Sequence, residues 1–164
     1  LGIGIIVLQL WEEIQAGADW DKLIHERVPH LVDNTFPFFS VDTLEYLRRG
    51  GRIGRITALA GTMLSIKPII TFSEDGQLQS IAKVRGRKQV QDKIVELLRG
   101  KFRAGKRYNL GVANGGAPAE MAELSEKMRA RFPEFVHCWE GAMDATLSVY
   151  IGDGVIGGGI QFID

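Results

Sequence analysis

The 164-residue chain has one cysteine, five prolines and no surplus of either charge. A lone Cys138 excludes an internal disulfide and suits a reducing, cytoplasmic setting. Twenty cationic and twenty anionic side chains cancel, which argues against bulk attraction to nucleic acid or an anionic membrane. The apolar run Leu1–Leu10 is too short to span a bilayer. It also lacks the cationic flank and small-residue cleavage site of a signal peptide, so it reads as a buried helix. No repeat, low-complexity tract or linker divides the sequence. Catalytic groupings are scarce as well. His137 and Cys138 are neighbours on a predicted strand, and adjacent strand residues face opposite ways, so they form no dyad. His25 and His30 flank Pro29 without a further ligand at metal spacing. No cofactor, metal centre or enzymatic activity is expected.

What is present supports a single domain over residues 1–164, with 45% hydrophobic and 24% charged residues. Ile3, Ile6, Leu10 and Ile14 recur at helical spacing, and Gly17 ends that helix. Asp19 can cap a second helix carrying Trp20, Leu23, Ile24, Leu31 and Val32, with Pro29 kinking or restarting it. Phe36–Val41 reads as a strand. Pro68–Phe72 and Leu78–Val84 flank an Asp-Gly turn and read as a β-hairpin. Val90, Ile94, Leu98 and Phe102 mark an amphipathic helix, Tyr108–Ala113 a strand, and Pro118 opens a helix carrying Met121, Leu124 and Met128. Phe135–Trp139, Thr146–Ile151 and Ile160–Ile163 read as closing strands. The expected class is α+β: a mixed or antiparallel sheet with helices packed on it.

The most informative stretch is Asp42-Thr43-Leu44-Glu45-Tyr46-Leu47-Arg48-Arg49-Gly50-Gly51-Arg52-Ile53-Gly54-Arg55. Asp42 and Glu45 have capping-box spacing for a helix over Thr43–Arg49. Arg48 and Arg49 then suit its negative end. Arg52 and Arg55 open the next predicted helix, whose apolar stripe is Ile53, Ile56, Ala60, Met63 and Leu64. Cations at that positive end favour an external anion. Arg85, Arg87 and Lys88 repeat the arrangement ahead of the helix at Val90. The physical argument leaves two readings open: an anion or acidic-partner site, or a solvated basic corner with weak ion pairs. A single Arg-Gly-Gly inside a helical hairpin is not the repeated, disordered tract of RNA-binding segments.

Gly152-Asp153-Gly154-Val155-Ile156-Gly157 is a literal G-x-G-x-x-G. A dinucleotide loop needs a helix opening at its third glycine and an acidic residue about 20 positions on. Only Gly158–Asp164 follow, so that helix has no room.

The block DTLEYLRRGGRIGR, followed by Ile66-Lys67-Pro68-Ile69 and Lys83-Val84-Arg85-Gly86-Arg87-Lys88, resembles the DegV family of bacterial fatty-acid-binding proteins. The resemblance runs to the Gly-rich end and corresponds to the second of the family's two lobes. The chain opens without Met inside an apolar run, so it reads as the C-terminal part of a longer protein. The resemblance implies non-enzymatic binding of a long-chain fatty acid and its presentation to a fatty-acid kinase. In the family the first lobe supplies hydroxyl donors to the carboxylate, and the second encloses the acyl chain between sheet and helices. Arg52, Ile56, Ala60, Met63, Leu64, Ile69 and Tyr150 are the expected ligand-binding positions. With them go Ile70 and Phe72 on the sheet. Arg52, Arg55 and Arg85 are expected to form one basic patch that docks the kinase. Tyr150 and Asp153 stand where the family has the histidine and proline of a His-x-Gly-Pro-Gly segment. Two other roles fit the same residues: a regulatory or oligomerisation domain, and a substrate cap for an active site in the other lobe. Neither nucleic acid nor stable membrane insertion is expected, whereas Leu1–Leu10 favours a homodimer that shields it.

Overall fold

The computed structural model describes residues 1–59 and 65–164, with side chains described outside 57–64. Six strands, β1 (Thr35–Ser40), β2 (Ile66–Phe72), β3 (Leu78–Arg85), β4 (Tyr108–Gly115), β5 (Cys138–Ala142) and β6 (Val155–Phe162), form one sheet in the order β3-β2-β1-β6-β4-β5. All neighbours are antiparallel except β4 and β5, so the sheet is mixed, as the α+β reading requires.

The Gly-rich segment that mimics a nucleotide loop runs from a bend at Asp153-Gly154 into β6, one of the two central strands. Every residue of β6 is buried, and alternation sorts its side chains between two faces. Ile156, Ile160 and Phe162 join the main core beneath α5 (Lys88–Lys101) and α6 (Pro118–Arg131). Val90, Ile94 and Leu98 of α5 and Leu124 and Met128 of α6 are buried there, at the spacing the sequence predicts. A Cβ at Gly158 would lie 2.6 Å from Met128 Sδ, so glycine is what lets these helices approach the sheet.

The opposite face carries α1 (Gly2–Gln15). A Cβ at Gly111 would meet Ile5 Cγ2 at 2.6 Å, and Gly111 pairs with Gly159 across β4 and β6. The helix thus rests on a platform of small residues. Its buried residues are Ile5 and Gln9, not the predicted stripe, and Ile3 is 80% exposed, with Val7, Trp11 and Ile14 exposed beside it. The helix is apolar nearly all round, so periodicity could not choose its face. A polar anchor chose it: Gln9 Oε1 accepts from Asn109 Nδ2 at 2.8 Å inside the core. The expected burial of the whole helix is corrected accordingly.

Asp19 caps α2 (Trp20–Lys22) by accepting from the Lys22 amide at 3.0 Å. A π-turn over Leu23–Arg27 precedes α3 (Val28–Asp33), and Pro29 sits in the first turn of α3. A proline lacks the amide for an ordinary helical bond and crowds the preceding turn, so the chain widens there. Leu23 and Leu31 are buried, whereas Trp20, Ile24 and Val32 are exposed.

Thr146–Ile151, expected as a strand, lies within helix α7 (Ala145–Ile151). Its β-branched residues suggested a strand, but Asp144 accepts from the Leu147 amide at 2.9 Å and starts a helix. β5 also begins three residues later than expected, at Cys138. Among the described residues no helix is long and apolar enough to cross a membrane, and no metal-binding cluster occurs.

Candidate functional site

The three charged blocks meet at Asp42. It is no helix cap: α4 is only Glu45–Arg49, and the Glu45 amide donates to Thr43 Oγ1 at 3.1 Å. The Asp42 carboxylate instead accepts from Arg87 Nη1 at 2.7 Å, with Lys67 Nζ at 3.2 Å. Arg87 Nε also reaches both oxygens of Glu120 at 2.8 Å. Burial works against the Arg87 charge, but Glu120 and Asp42 together raise its pKa above the ordinary value. The capping box was a reasonable local expectation. It lost to two cations brought in from β2 and from the link between β3 and α5.

Two glycines end α4 for different reasons. Gly51 has φ +67°, its amide donates to Arg48 O at 3.1 Å, and the Arg52 amide donates to Leu47 O at 2.8 Å. This is a Schellman closure, which wants glycine at the left-handed position. Gly50 is required by space: a Cβ there would lie 2.6 Å from Tyr150 Cδ1. The Tyr150 ring, on the last turn of α7, is thereby laid against the end of α4. Arg52 Cζ sits 4.4 Å from the centroid of that ring, and Arg52 Nη1 donates to Gly50 O at 2.7 Å. Tyr46 closes the other side, within 2.4 Å of where a Gly152 Cβ would stand. Arg52 and Tyr150 are therefore brought together.

The apolar positions divide. Ile56 and Ile70 are buried in one cluster with Val41, Leu44, Leu47 and Val155, against which Ile53, Ile151 and Phe39 pack. This cluster lies on the α1 side of the sheet, where Phe39 also borders Gly157. Ile69 does not share it. It is fully buried on the other face with Phe38, Val90 and Ile94, because successive strand residues point to opposite faces. Phe72 is half exposed and tilted against the Phe39 ring. Ala60, Met63 and Leu64 lie outside the described residues.

The basic patch is not a single patch. Gly54–Leu59 is a 3-10 segment, not the α-helix whose dipole motivated the reading. Arg55 Nη2 pairs with Asp75 Oδ2 at 2.9 Å, in the turn that joins β2 to β3. The Ser73 hydroxyl, and then Arg55, hold the Asp75 carboxyl below its ordinary value. Arg85 lies at the far end of the eight-residue β3, opposite Ile66. At 3.3 Å per residue that is about 23 Å away. Cys138 is half-buried, and burial pushes its thiol pKa up, away from nucleophilic use. The sequence reading missed Tyr46 and the Asp42 hub. The only signal for the hub was that the three blocks occur together.

This is a mixed-sheet α+β fold with an ion-paired hub, and a clamped arginine beside an apolar cluster. The DegV family model, described as "uncharacterised protein, DegV family", matches residues 1–162, and the chain belongs to that family. A DegV domain-containing protein of Clostridium perfringens is 34% identical over 159 residues, which is 97% of this chain and 56% of that one. Among solved structures, a DegV family protein from Thermus thermophilus, described for its fatty acid binding, matches with TM-score 0.90 and 28% identity. It is covered to 57%, and this chain to 99%. DegV from Bacillus subtilis, described as a fatty acid binding protein, matches with TM-score 0.82 and 27% identity, covering 99% of this chain and 57% of that one. The chain thus spans a little over half the length of these relatives.

Proposed function

We propose that this chain is the acyl-enclosing lobe of a fatty-acid-binding protein that presents its ligand to a fatty-acid kinase and performs no chemistry itself. The observation that carries the reading is the fold match to the Thermus thermophilus protein, whose structure is described for fatty acid binding. The local layout supports it. Arg52 and Tyr150 adjoin Ile53 and Ile151, and those two pack on the cluster that holds Ile56 and Ile70. A ligand with one anionic end and one apolar end fits that order. Each buried methylene contributes about 0.8 kcal/mol, so a dozen would contribute roughly 10 kcal/mol before the costs of binding. The tail sets affinity and the head sets orientation. Ile56 and Ile70, with Ala60, Met63 and Leu64, are the proposed lining, and Ile69 serves the core behind it. Arg55 and Arg85 are proposed kinase-docking cations at two separate contact points, in a cytoplasmic protein. The exposed stripe Ile3, Val7, Trp11 and Ile14 supports self-association of the chain when nothing else covers it.

Mass spectrometry of a denatured extract of the complete gene product tests the central claim. A long-chain fatty acid is expected in near-stoichiometric amount, together with saturable binding of added acid after delipidation. Absence of both refutes the reading.

A further inference from the structure

We infer that residues 99–107, between α5 and β4, form a docking surface for an anionic lipid bilayer, at the end of α5 opposite the Asp42 hub. The inference goes beyond fatty-acid binding and stands on charge and shape alone. The segment Arg99-Gly100-Lys101-Phe102-Arg103-Ala104-Gly105-Lys106-Arg107 holds five of the chain's twenty cations and none of its twenty acids. All nine residues are exposed. A net charge of zero therefore hides a segregated one. Arg131, exposed at the end of α6, joins the same surface, because the Phe102 and Phe132 rings lie 5.7 Å apart. The helix dipole accounts for Arg99 and Lys101 at the end of α5. It does not account for Lys106 and Arg107, which lead into β4. Among the described residues Arg99, Lys101, Lys106, Arg107 and Arg131 pair with no carboxylate. The Asp164 carboxylate accepts from the Arg107 backbone amide at 2.8 Å.

The shape favours a broad surface over a discrete partner. Gly100, Ala104 and Gly105 separate the cations, and a Cβ at either glycine would meet nothing within 4 Å. Nothing acidic in the segment holds a flat anionic surface off. Arg103 is tied down: its Nη1 donates to Asn34 Oδ1 at 2.6 Å, and its Cζ lies 5.1 Å from the Phe162 ring centroid. Arg99, Lys106 and Arg107 make no side-chain hydrogen bond among the described residues. Their charges are free to follow a fluid layer of head groups, where each cation contributes separately. Nucleic acid is a poorer match, because base stacking needs an open aromatic face. Phe102 is 39% exposed but engaged by Tyr108 at 5.4 Å as well as by Phe132. Its exposed part is an apolar contact among cations, which suits the boundary of a bilayer. The 14 residues of α5, about 21 Å at 1.5 Å per residue, separate this surface from Arg87. A bilayer bound here leaves the Arg85 end of the domain facing away from the lipid.

The test is co-sedimentation of the complete gene product with vesicles of phosphatidylcholine, alone or mixed with phosphatidylglycerol, at low and high salt. Binding is expected only to the anionic vesicles and is expected to fall with salt, as screening requires. Replacing Lys101, Lys106 and Arg107 together by Gln is expected to weaken it about a hundredfold, at about fivefold per cation near the surface. Replacing Lys22, Arg48 and Lys83, which are exposed elsewhere, is expected to weaken it far less. Circular dichroism melting identifies a triple variant that fails to fold. The single variants Lys106→Gln and Arg107→Gln then carry the test, at about fivefold each. Equal loss in the two triple variants would reduce the surface to bulk charge and overturn the inference. So would equal binding to neutral vesicles, or no binding to either kind. Binding of duplex DNA or poly-glutamate as tight as that of anionic vesicles at the same salt would overturn it as well.

Discussion

Arg87→Ala is the substitution that best probes how this domain is held together. The side chain is 24% exposed and spans two carboxylates, with Nη1 at 2.7 Å from Asp42 and Nε at 2.8 Å from Glu120. Removing it leaves Asp42 with Lys67 alone and Glu120 without a cation among the described residues. A hydrogen bond to a charged group contributes about 1.5–3 kcal/mol when its partner is left behind, while half-exposed carboxylates recover part of that from water. The expected loss is about 2 kcal/mol. In a domain of this size that corresponds to roughly 4–8 °C in melting temperature. Urea unfolding followed by circular dichroism measures it directly. A double-mutant cycle with Glu120→Ala is expected to give a coupling of about 1 kcal/mol, as for residues sharing one network. A loss under about 0.5 kcal/mol, with no coupling, would mean the hub is a surface ion pair of little consequence and would refute the reasoning.

Ile69→Val is expected to cost about 1 kcal/mol of stability without changing fatty-acid affinity, whereas Ile56→Ala lowers affinity; equal effects on binding would place both on one wall. Arg55→Ala and Arg85→Ala are each expected to slow acyl-phosphate formation by the kinase, and their effects to be additive because β3 separates them. A strongly non-additive pair in steady-state kinetics would restore the single patch. Burial raises the Glu13 pKa, but hydrogen bonds from Arg27 and Gln9 outweigh it, so the folded value lies below the ordinary 4.5. The Ser125 hydroxyl and then Arg129 lower Glu140 in the same sense. Stability from these groups is therefore complete above pH 4.5 and lost as pH falls through the folded values. Glu13→Gln is expected to flatten that acid limb in melts across pH 3–7, and an unchanged limb would refute it. Trp11→Glu on the outward face of α1 is expected to shift a self-associated 164-residue chain toward monomer in light scattering, and a wild-type monomer would refute the association.

Much of the fold was legible because local and tertiary demands agreed. The hairpin across Ser73–Gln77 and the α5 stripe at Val90, Ile94 and Leu98 each had one solution. The failures share a cause: each local signal had a competitor elsewhere in the chain. Asp42 had the spacing of a cap but is met by Lys67 and Arg87. Thr146, Val149 and Ile151 favour strands but follow a capping aspartate. Periodicity left the face of α1 to a glutamine whose partner, Asn109, is 100 residues away. At the candidate site, charge at a predicted helix start pointed to Arg52, and the family resemblance pointed to Tyr150. Only the folded chain shows that one carries the other.

These points bear on what the family blocks encode. Asp42, Lys67 and Arg87 come one from each block, and they meet at a single carboxylate. That carboxylate ties the end of β1 to β2 and to the start of α5, with Glu120 adding α6. The same first block then runs through α4 to Gly50, Gly51 and Arg52, so the hub fixes one end of the segment whose other end holds the clamp on Tyr150. The arginines of the three blocks thus separate: Arg87 joins elements, Arg52 stacks on Tyr150 without a carboxylate partner among the described residues, and Arg55 and Arg85 remain on the surface. Charge at a helix start could not make that distinction, because it says where an anion is welcome and not whether the protein already supplies one. The discriminating quantity is the count of carboxylates within reach: Arg87 has two, Arg55 has one, and Arg52 has none among the described residues.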